Sequence, residues 1–196
     1  GAVINTARVR PGASVVVIGT GGVGLNAVQG ARLAGASQII ALDILDQKLA
    51  TAVAFGATAT VNSAQADALQ RVRDLTNGRG ADYVLVTVGN ALAIAQGLPL
   101  LRAGGTMVIV GLPGRDTLAQ VPVFDLVTRG QRMLGSYMGS SRLAIDVPWL
   151  VQLYQQGRLK VDELITGHYA LDQINDAITS MERGEALRNV IVFDGG

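Results

Sequence analysis

The chain predicts an α/β fold, a doubly wound, six-stranded parallel sheet with helices on both faces. Three features carry that prediction. Short β-branched runs alternate with helix-length segments from residue 14 to about residue 137. The first run, Val15-Val16-Val17-Ile18, is apolar at consecutive positions, as a strand covered on both faces must be. It leads straight into a glycine turn, and the residues after that turn read as a helix.

Gly1 to Arg10 resembles the tail of a helix entering from an upstream segment, so the chain reads as a piece of a longer protein; Pro11-Gly12 then turns it into strand 15–18. Helix 22–34 follows, with Val23, Ala27, Ala31 and Ala34 expected inward and Asn26, Gln29 and Arg32 outward; Gly35 stops it. Strand 38–42 ends at Asp43. Asp46 is expected to cap a helix to about Phe55, closed by Gly56. Strand 58–61, a helix over about 64–75, the Asn77–Gly80 turn and strand 82–88 come next. A helix starts near Asn90 and cannot continue far past Pro99. Strand 106–110 follows Gly104-Gly105, and strand 133–137 completes six. Between them, 118–123 reads as an extended apolar stretch, and its Pro122 suits an edge strand able to pair with another subunit. Beyond 138 the alternation ends. Asp146 caps and Pro148 opens a helix to about Gln156, Leu164–Tyr169 is a strand, Asp172 caps a helix, and Asn189–Phe193 is a last strand. Residues 1–138 are thus expected to form the parallel-sheet domain, with 139–196 a C-terminal segment that returns toward another domain.

Composition removes several classes of function. With 16 Lys+Arg against 15 Asp+Glu, no long-range field favours nucleic acid or an anionic membrane. Apolar residues make up 49%, yet no run reaches the ~18 residues that span a bilayer. No cysteine is present, which rules out disulfides, and no leader is visible, so a reducing cytoplasm is the expected setting. No cysteine and a single histidine cannot make a tetrahedral zinc site or a Cys–His nucleophile pair.

The chemistry concentrates at the strand ends. Gly19, Gly21 and Gly24 fall in G-x-G-x-x-G spacing. The first permits the turn, the second lets a pyrophosphate approach the backbone, and the third lets helix pack on strand. Phosphates would sit at the helix N-terminus, where unpaired N–H groups and the dipole favour anions. Asp43 lies about 20 residues past the last glycine, where an acidic residue meets an adenosine ribose in this Rossmann fingerprint; otherwise it is a turn residue. Thr87-Val88-Gly89 and Val110-Gly111-Leu112 also end strands in small or glycine residues, fitting either close approach to a flat ligand or ordinary turn chemistry. Gly22, Val23 and Ile44 adjoin these positions and join the candidate set.

Five stretches carry a resemblance: Gly19-Thr20-Gly21-Gly22-Val23-Gly24-Leu25, Ile39 to Ile44 with Lys48, Phe55-Gly56-Ala57-Thr58, Val108-Ile109-Val110-Gly111, and Arg183 to Arg188. With them the chain resembles the nucleotide-binding half of the zinc-dependent alcohol dehydrogenases, within the medium-chain dehydrogenase/reductase superfamily. The glutathione-linked formaldehyde and long-chain alcohol dehydrogenases look most similar. The resemblance implies NAD as cofactor, with Asp43 on the adenosine ribose hydroxyls and Lys48 beside that ribose. It implies that Thr87, Val88, Val110, Leu112 and Tyr137 line the cofactor trough and that Arg188 reaches the pyrophosphate. The family often has arginine where this chain has Asn90, which puts contacts on that side in doubt. Zinc is expected in the full-length enzyme only, mostly on ligands upstream of Gly1; His168 is read as structural. The expected partner is a nicotinamide dinucleotide, with a homodimer or homotetramer paired near 118–123. Asp43 would repel the roughly two charges of a ribose 2′-phosphate, which favours NAD. The alternatives are a zinc-free quinone or enoyl reductase using NADPH, or a non-catalytic nucleotide-sensing domain.

Overall fold

The computed structural model describes residues 1–65 and 67–193. They form two compact units, Gly1–Val147 and Pro148–Gly196. In the first, a π-helical turn (Ala2–Ala7) precedes β1 (Ser14–Ile18), α1 (Gly22–Leu33), β2 (Gln38–Asp43), α2 (Asp46–Ala54) and β3 (Ala59–Asn62). Then come α3 (Ala68–Leu75), β4 (Ala81–Val86), α4 (Ala91–Gly97), β5 (Leu101–Ile109), α5 (Val123–Thr128) and β6 (Arg132–Gly135). A helix, α6 (Leu143–Gln155), runs across the division; the second unit adds β7 (Ile165–Tyr169), α7 (Ile174–Glu182) and β8 (Arg188–Ile191).

The six strands lie in the order β3-β2-β1-β4-β5-β6, all parallel, which is the doubly wound sheet expected. Their β-branched runs bury both faces. Val16, Ile18, Ile40, Leu42, Val84 and Val86 belong to one core, and the alternate residues Val15, Val17, Ile39, Ala41 and Leu85 are buried on the other side. Each fully buried Val, Leu or Ile contributes about 1.5–3 kcal/mol. The order reverses between β1 and β4, so a switch-point crevice opens beyond their carboxyl ends. The second unit has a separate two-stranded parallel sheet, β7 with β8. No helix among the described residues is long and apolar enough to cross a membrane.

Several local expectations are corrected. Residues 118–123 are not a strand: Val123 opens α5 behind Pro122, and the sheet's edges are β3 and β6. Ala119 and Val121 pack on the core instead, while Leu118 is exposed. Gln29 is buried and Val23 exposed, the reverse of the expected faces, because α1 turns Leu25 and Val28 inward as well as Ala27 and Ala31. Asp46 does not cap α2; it accepts from Asn62 Nδ2 at 2.7 Å and Gln65 Nε2 at 3.3 Å. Helix α3 starts four residues later than expected, where the Asp67 side chain accepts from Gln70 N–H. Strand β5 starts at Leu101, ahead of Gly104-Gly105, with an irregular register against β4. Helix α6 begins at Leu143 with Pro148 inside it; Asp146 reaches back to the Arg142 N–H at 2.8 Å and takes Asn5 Nδ2 at 2.9 Å. Asp172 sits in a 3₁₀ turn before α7, where the Gln173 side-chain oxygen accepts from Ala170 N–H.

One carboxylate ties the amino-terminal ends of β1 and β4. Asp82 accepts from Ser14 N–H at 2.8 Å, from the Ser14 hydroxyl at 2.9 Å, and from Arg102 Nε. Burial pushes its carboxyl up, but these donors outweigh burial and hold it below the usual range. A carboxyl depressed on folding stabilises the fold above its unfolded pKa of about 4, and the contribution is lost as pH falls through the lower folded value. Urea unfolding should therefore show Asp82→Asn less stable than wild type near neutral pH, with the gap closing below about pH 4. A gap that persists unchanged in acid would contradict this.

Candidate functional site

The crevice is built on the tip of β1. Gly19 leaves the strand with φ +86°, and its N–H donates to Leu42 O at 2.8 Å. A Cβ on Gly19 would meet Val88 Cγ1 at 2.5 Å, and one on Gly24 would meet Gly19 O at 1.9 Å. Both positions therefore require glycine, Gly24 for the close seat of α1 on the turn. Gly21 differs: nothing lies within 4 Å of a Cβ there, so its backbone faces open space at the N-cap of α1. The first-turn N–H groups of α1 stand at that opening, a setting that favours an anion.

Asp43 ends β2 beside this turn. Its Oδ2 accepts from Thr20 N–H at 2.8 Å and from the Thr20 hydroxyl at 2.9 Å. Its Oδ1 accepts from the amides of Ile44 at 2.8 Å and Leu45 at 3.2 Å. Thr20 is fully buried, so the carboxylate is fixed to the glycine loop. On the other side the Thr87 hydroxyl, itself buried, lies 2.8 Å from Gly19 O and 3.0 Å from Ile18 O. The loop is clamped from β2 and from β4.

Gly19, Asp43, Ile44, Lys48 and Val88 line one cavity of about 460 Å³, joined by Asn90. Asn90 caps α4, its Oδ1 accepting from Leu92 N–H at 2.8 Å and Ala93 N–H at 3.3 Å. Leu112 and Tyr137 are exposed at 80% and 76%, beyond the ends of β5 and β6, and Val110 is half-buried. Gly89 and Gly111 serve a different purpose: a Cβ on Gly89 would meet Leu112 O at 2.2 Å, and one on Gly111 would meet Val88 C at 2.4 Å. Those two glycines let neighbouring loops touch backbone to backbone. Gly22 and Val23 open α1. Arg188 opens β8 in the second unit, opposite Ile165, and His168 on β7 is exposed.

Sequence reasoning did not single out Thr20, Ser63, Leu92 or Gln96; the last three line the same cavity. A threonine between two glycines, followed by an acid at the next strand tip, is a signal that could have found Thr20. Among the described residues no group of three or more His, Cys, Asp or Glu could hold a metal ion.

Sheet order, switch-point crevice and glycine turn place the chain among the Rossmann-type, doubly wound α/β proteins. More narrowly, it belongs to the zinc-binding dehydrogenase family, whose profile matches residues 22–156, as the resemblance implied. It is similar to the class-3 alcohol dehydrogenase of Cereibacter sphaeroides, 37% identical over 201 residues that cover 98% of this chain and 53% of the relative. The S-(hydroxymethyl)glutathione dehydrogenase of Paracoccus denitrificans is 38% identical over 200 residues, with the same coverage of 98% and 53%. Among solved structures, benzyl alcohol dehydrogenase from Acinetobacter calcoaceticus matches with TM-score 0.93 and 37% identity, over 97% of this chain and 52% of that one. The chain spans about half the length of the curated relatives it matches.

The clamp on the glycine loop has a measurable strength. Thr20→Val removes a buried donor to a carboxylate and should lower stability by about 1.5–3 kcal/mol. Gly24→Ala should cost about as much, by forcing α1 off the turn. Denaturant unfolding checks both; a change under about 0.5 kcal/mol in either, within the range of surface substitutions, would remove the clamp from the account.

Proposed function

We propose that this chain is the NAD-binding part of a zinc-dependent alcohol dehydrogenase, whose full-length form transfers hydride between an alcohol and NAD. The observation that carries the reading is the Asp43 carboxylate, held by Thr20 at the rim of the cavity that Lys48 also lines. In it, Gly21 and the first-turn amides of α1 receive the pyrophosphate, and Asp43 and Lys48 face the adenosine ribose. Thr87 acts from behind, by keeping the glycine turn in shape, while Val88, Val110, Leu112 and Tyr137 flank the trough toward the nicotinamide. Arg188 is assigned to the pyrophosphate on family resemblance. Zinc, held by the remainder of the full-length protein, would supply a Lewis acid on the alcohol oxygen. The cytoplasm remains the proposed setting.

One neighbour supports a second reading. A zinc-binding dehydrogenase from Sinorhizobium meliloti, TM-score 0.78 and 30% identical over 91% of this chain and 52% of its own, is described as bound to NADP. An NADPH-dependent reductase would need a β2 tip that tolerates a 2′-phosphate, and Asp43 opposes it by like charge. We also propose a homodimer or homotetramer. The unpaired edge on that side of the sheet is β6, whose four residues are all exposed, rather than 118–123.

Calorimetry should give tighter binding of NADH than of NADPH. In Asp43→Ser the preference should narrow by about tenfold or more, roughly 1.4 kcal/mol, mainly through tighter NADPH. NADPH preferred by the wild-type chain, or a ratio untouched by the substitution, would overturn the assignment of Asp43. Metal analysis of the purified chain should find no stoichiometric zinc, and the chain by itself should not oxidise benzyl alcohol; bound zinc at one per chain would contradict the division of labour proposed here.

A further inference from the structure

The opposite end of the same sheet carries a second recess, of about 460 Å³, lined by Arg10, Arg79, Arg102, Arg132, Asp82 and Thr106 among others. The four arginines come from four places in the chain. Arg10 precedes β1, Arg79 precedes β4, Arg102 lies in β5, and Arg132 opens β6 directly opposite Thr106. Only the parallel sheet brings them together.

Their charge is poorly balanced. Asp82 is the one carboxylate in the lining, which leaves four positive groups against one negative in a chain whose whole net charge is +1. Asp82 is already engaged by Ser14 and Arg102, with Arg79 Nη2 at 3.7 Å. Among the described residues no carboxylate lies within ion-pair distance of Arg10 or Arg132. Thr106, 6% exposed, lines the same recess on β5, paired with Arg132 across the sheet.

We propose that this recess is a second ligand site, for a small multivalent oxyanion: a di- or triphosphate, or a polycarboxylate. Guanidinium groups meet both chemistries through paired, planar N–H donors, and Arg10 and Arg132 are the two with that capacity uncommitted. The volume falls in the range of small-molecule pockets. The site is separate from the glycine loop, since the five residues of β1 at about 3.3 Å each put roughly 16 Å between them. It is also independent of the nucleotide reading above.

A competing explanation is that these arginines only offset helix carboxyl ends, since α3 ends just before Arg79 and α5 just before Arg132. The two ideas part in one experiment. Inorganic triphosphate, with citrate in parallel, is titrated into the chain at low ionic strength, followed by calorimetry and by arginine side-chain NMR. The expected result is saturable one-to-one binding that moves the Arg10 and Arg132 Nε–H signals. In the R10Q/R132Q variant it should weaken by at least about tenfold, as charge-assisted hydrogen bonds are lost, with the melting curve unchanged. Triphosphate binding alone assigns a phosphate ligand, citrate alone a polycarboxylate, and both the general class. No saturable binding, equal affinity in R10Q/R132Q, signals confined to the amides of residues 19–24, or a lower melting temperature in place of lost binding would each overturn the proposal.

Discussion

Everything at the carboxyl end of this sheet depends on how the tip of β1 is held. A glycine-rich turn is by nature mobile, since glycine loses more conformational freedom on folding than any other residue. Here it is fastened on both sides. The Asp43 carboxylate at the tip of β2 takes the Thr20 amide and hydroxyl, and the Thr87 hydroxyl beyond β4 meets the carbonyls of Ile18 and Gly19. Helix α1 closes the third side through Gly24. What remains open is the space over Gly21, and it is open because the rest is fixed. A cradle of this kind needs no ordering when an anion arrives, which is where its affinity would come from.

Helix polarity extends the same logic across the molecule. In a doubly wound sheet every crossover helix runs antiparallel to the strands, so helix N-termini gather at the carboxyl edge and helix C-termini at the amino edge. The side chains follow. Gly19, Gly21, Gly24, Gly89 and Gly111 gather at the first edge, beside the first-turn amides of α1, while four arginines collect at the second. A net charge of +1 hides that separation, because the acids that balance the arginines lie elsewhere on the surface. Near-neutral composition therefore excluded a long-range field without excluding a local one.

The same contrast explains what was legible in the sequence. The central strands could be read because buried parallel strands carry near-continuous apolar runs, as Val15–Ile18 and Ile39–Leu42 do. Helix starts were read less well. Asp46 and Asp146, both expected as caps, fall inside the first turns of α2 and α6, and each is drawn to a side chain far away in the chain, Asn62 in one case and Asn5 in the other. Pro122 marked an interruption, but the extended look of 118–123 came from apolar residues packing as a loop on the core. Within the site, Gly89 and Gly111 looked like positions for a ligand, yet each is glycine because another backbone is already there. Thr20 and Thr87 hold the loop through contacts made 23 and 68 residues away, which no local pattern encodes.

Cofactor choice, on the reading proposed here, follows from how fully Asp43 is engaged. A carboxylate offers about four lone-pair positions, and four internal donors already meet them, two from Thr20 and one each from Ile44 and Leu45. A ribose hydroxyl entering the crevice would exchange for one of these, the 3.2 Å bond from Leu45 being the weakest, and would gain little net free energy by doing so. A 2′-phosphate would instead meet a fixed negative charge that cannot turn aside without breaking the clamp on the glycine loop. Discrimination by Asp43 is then chiefly exclusion of the wrong nucleotide rather than attraction of the right one, and the residue that makes the exclusion rigid is Thr20.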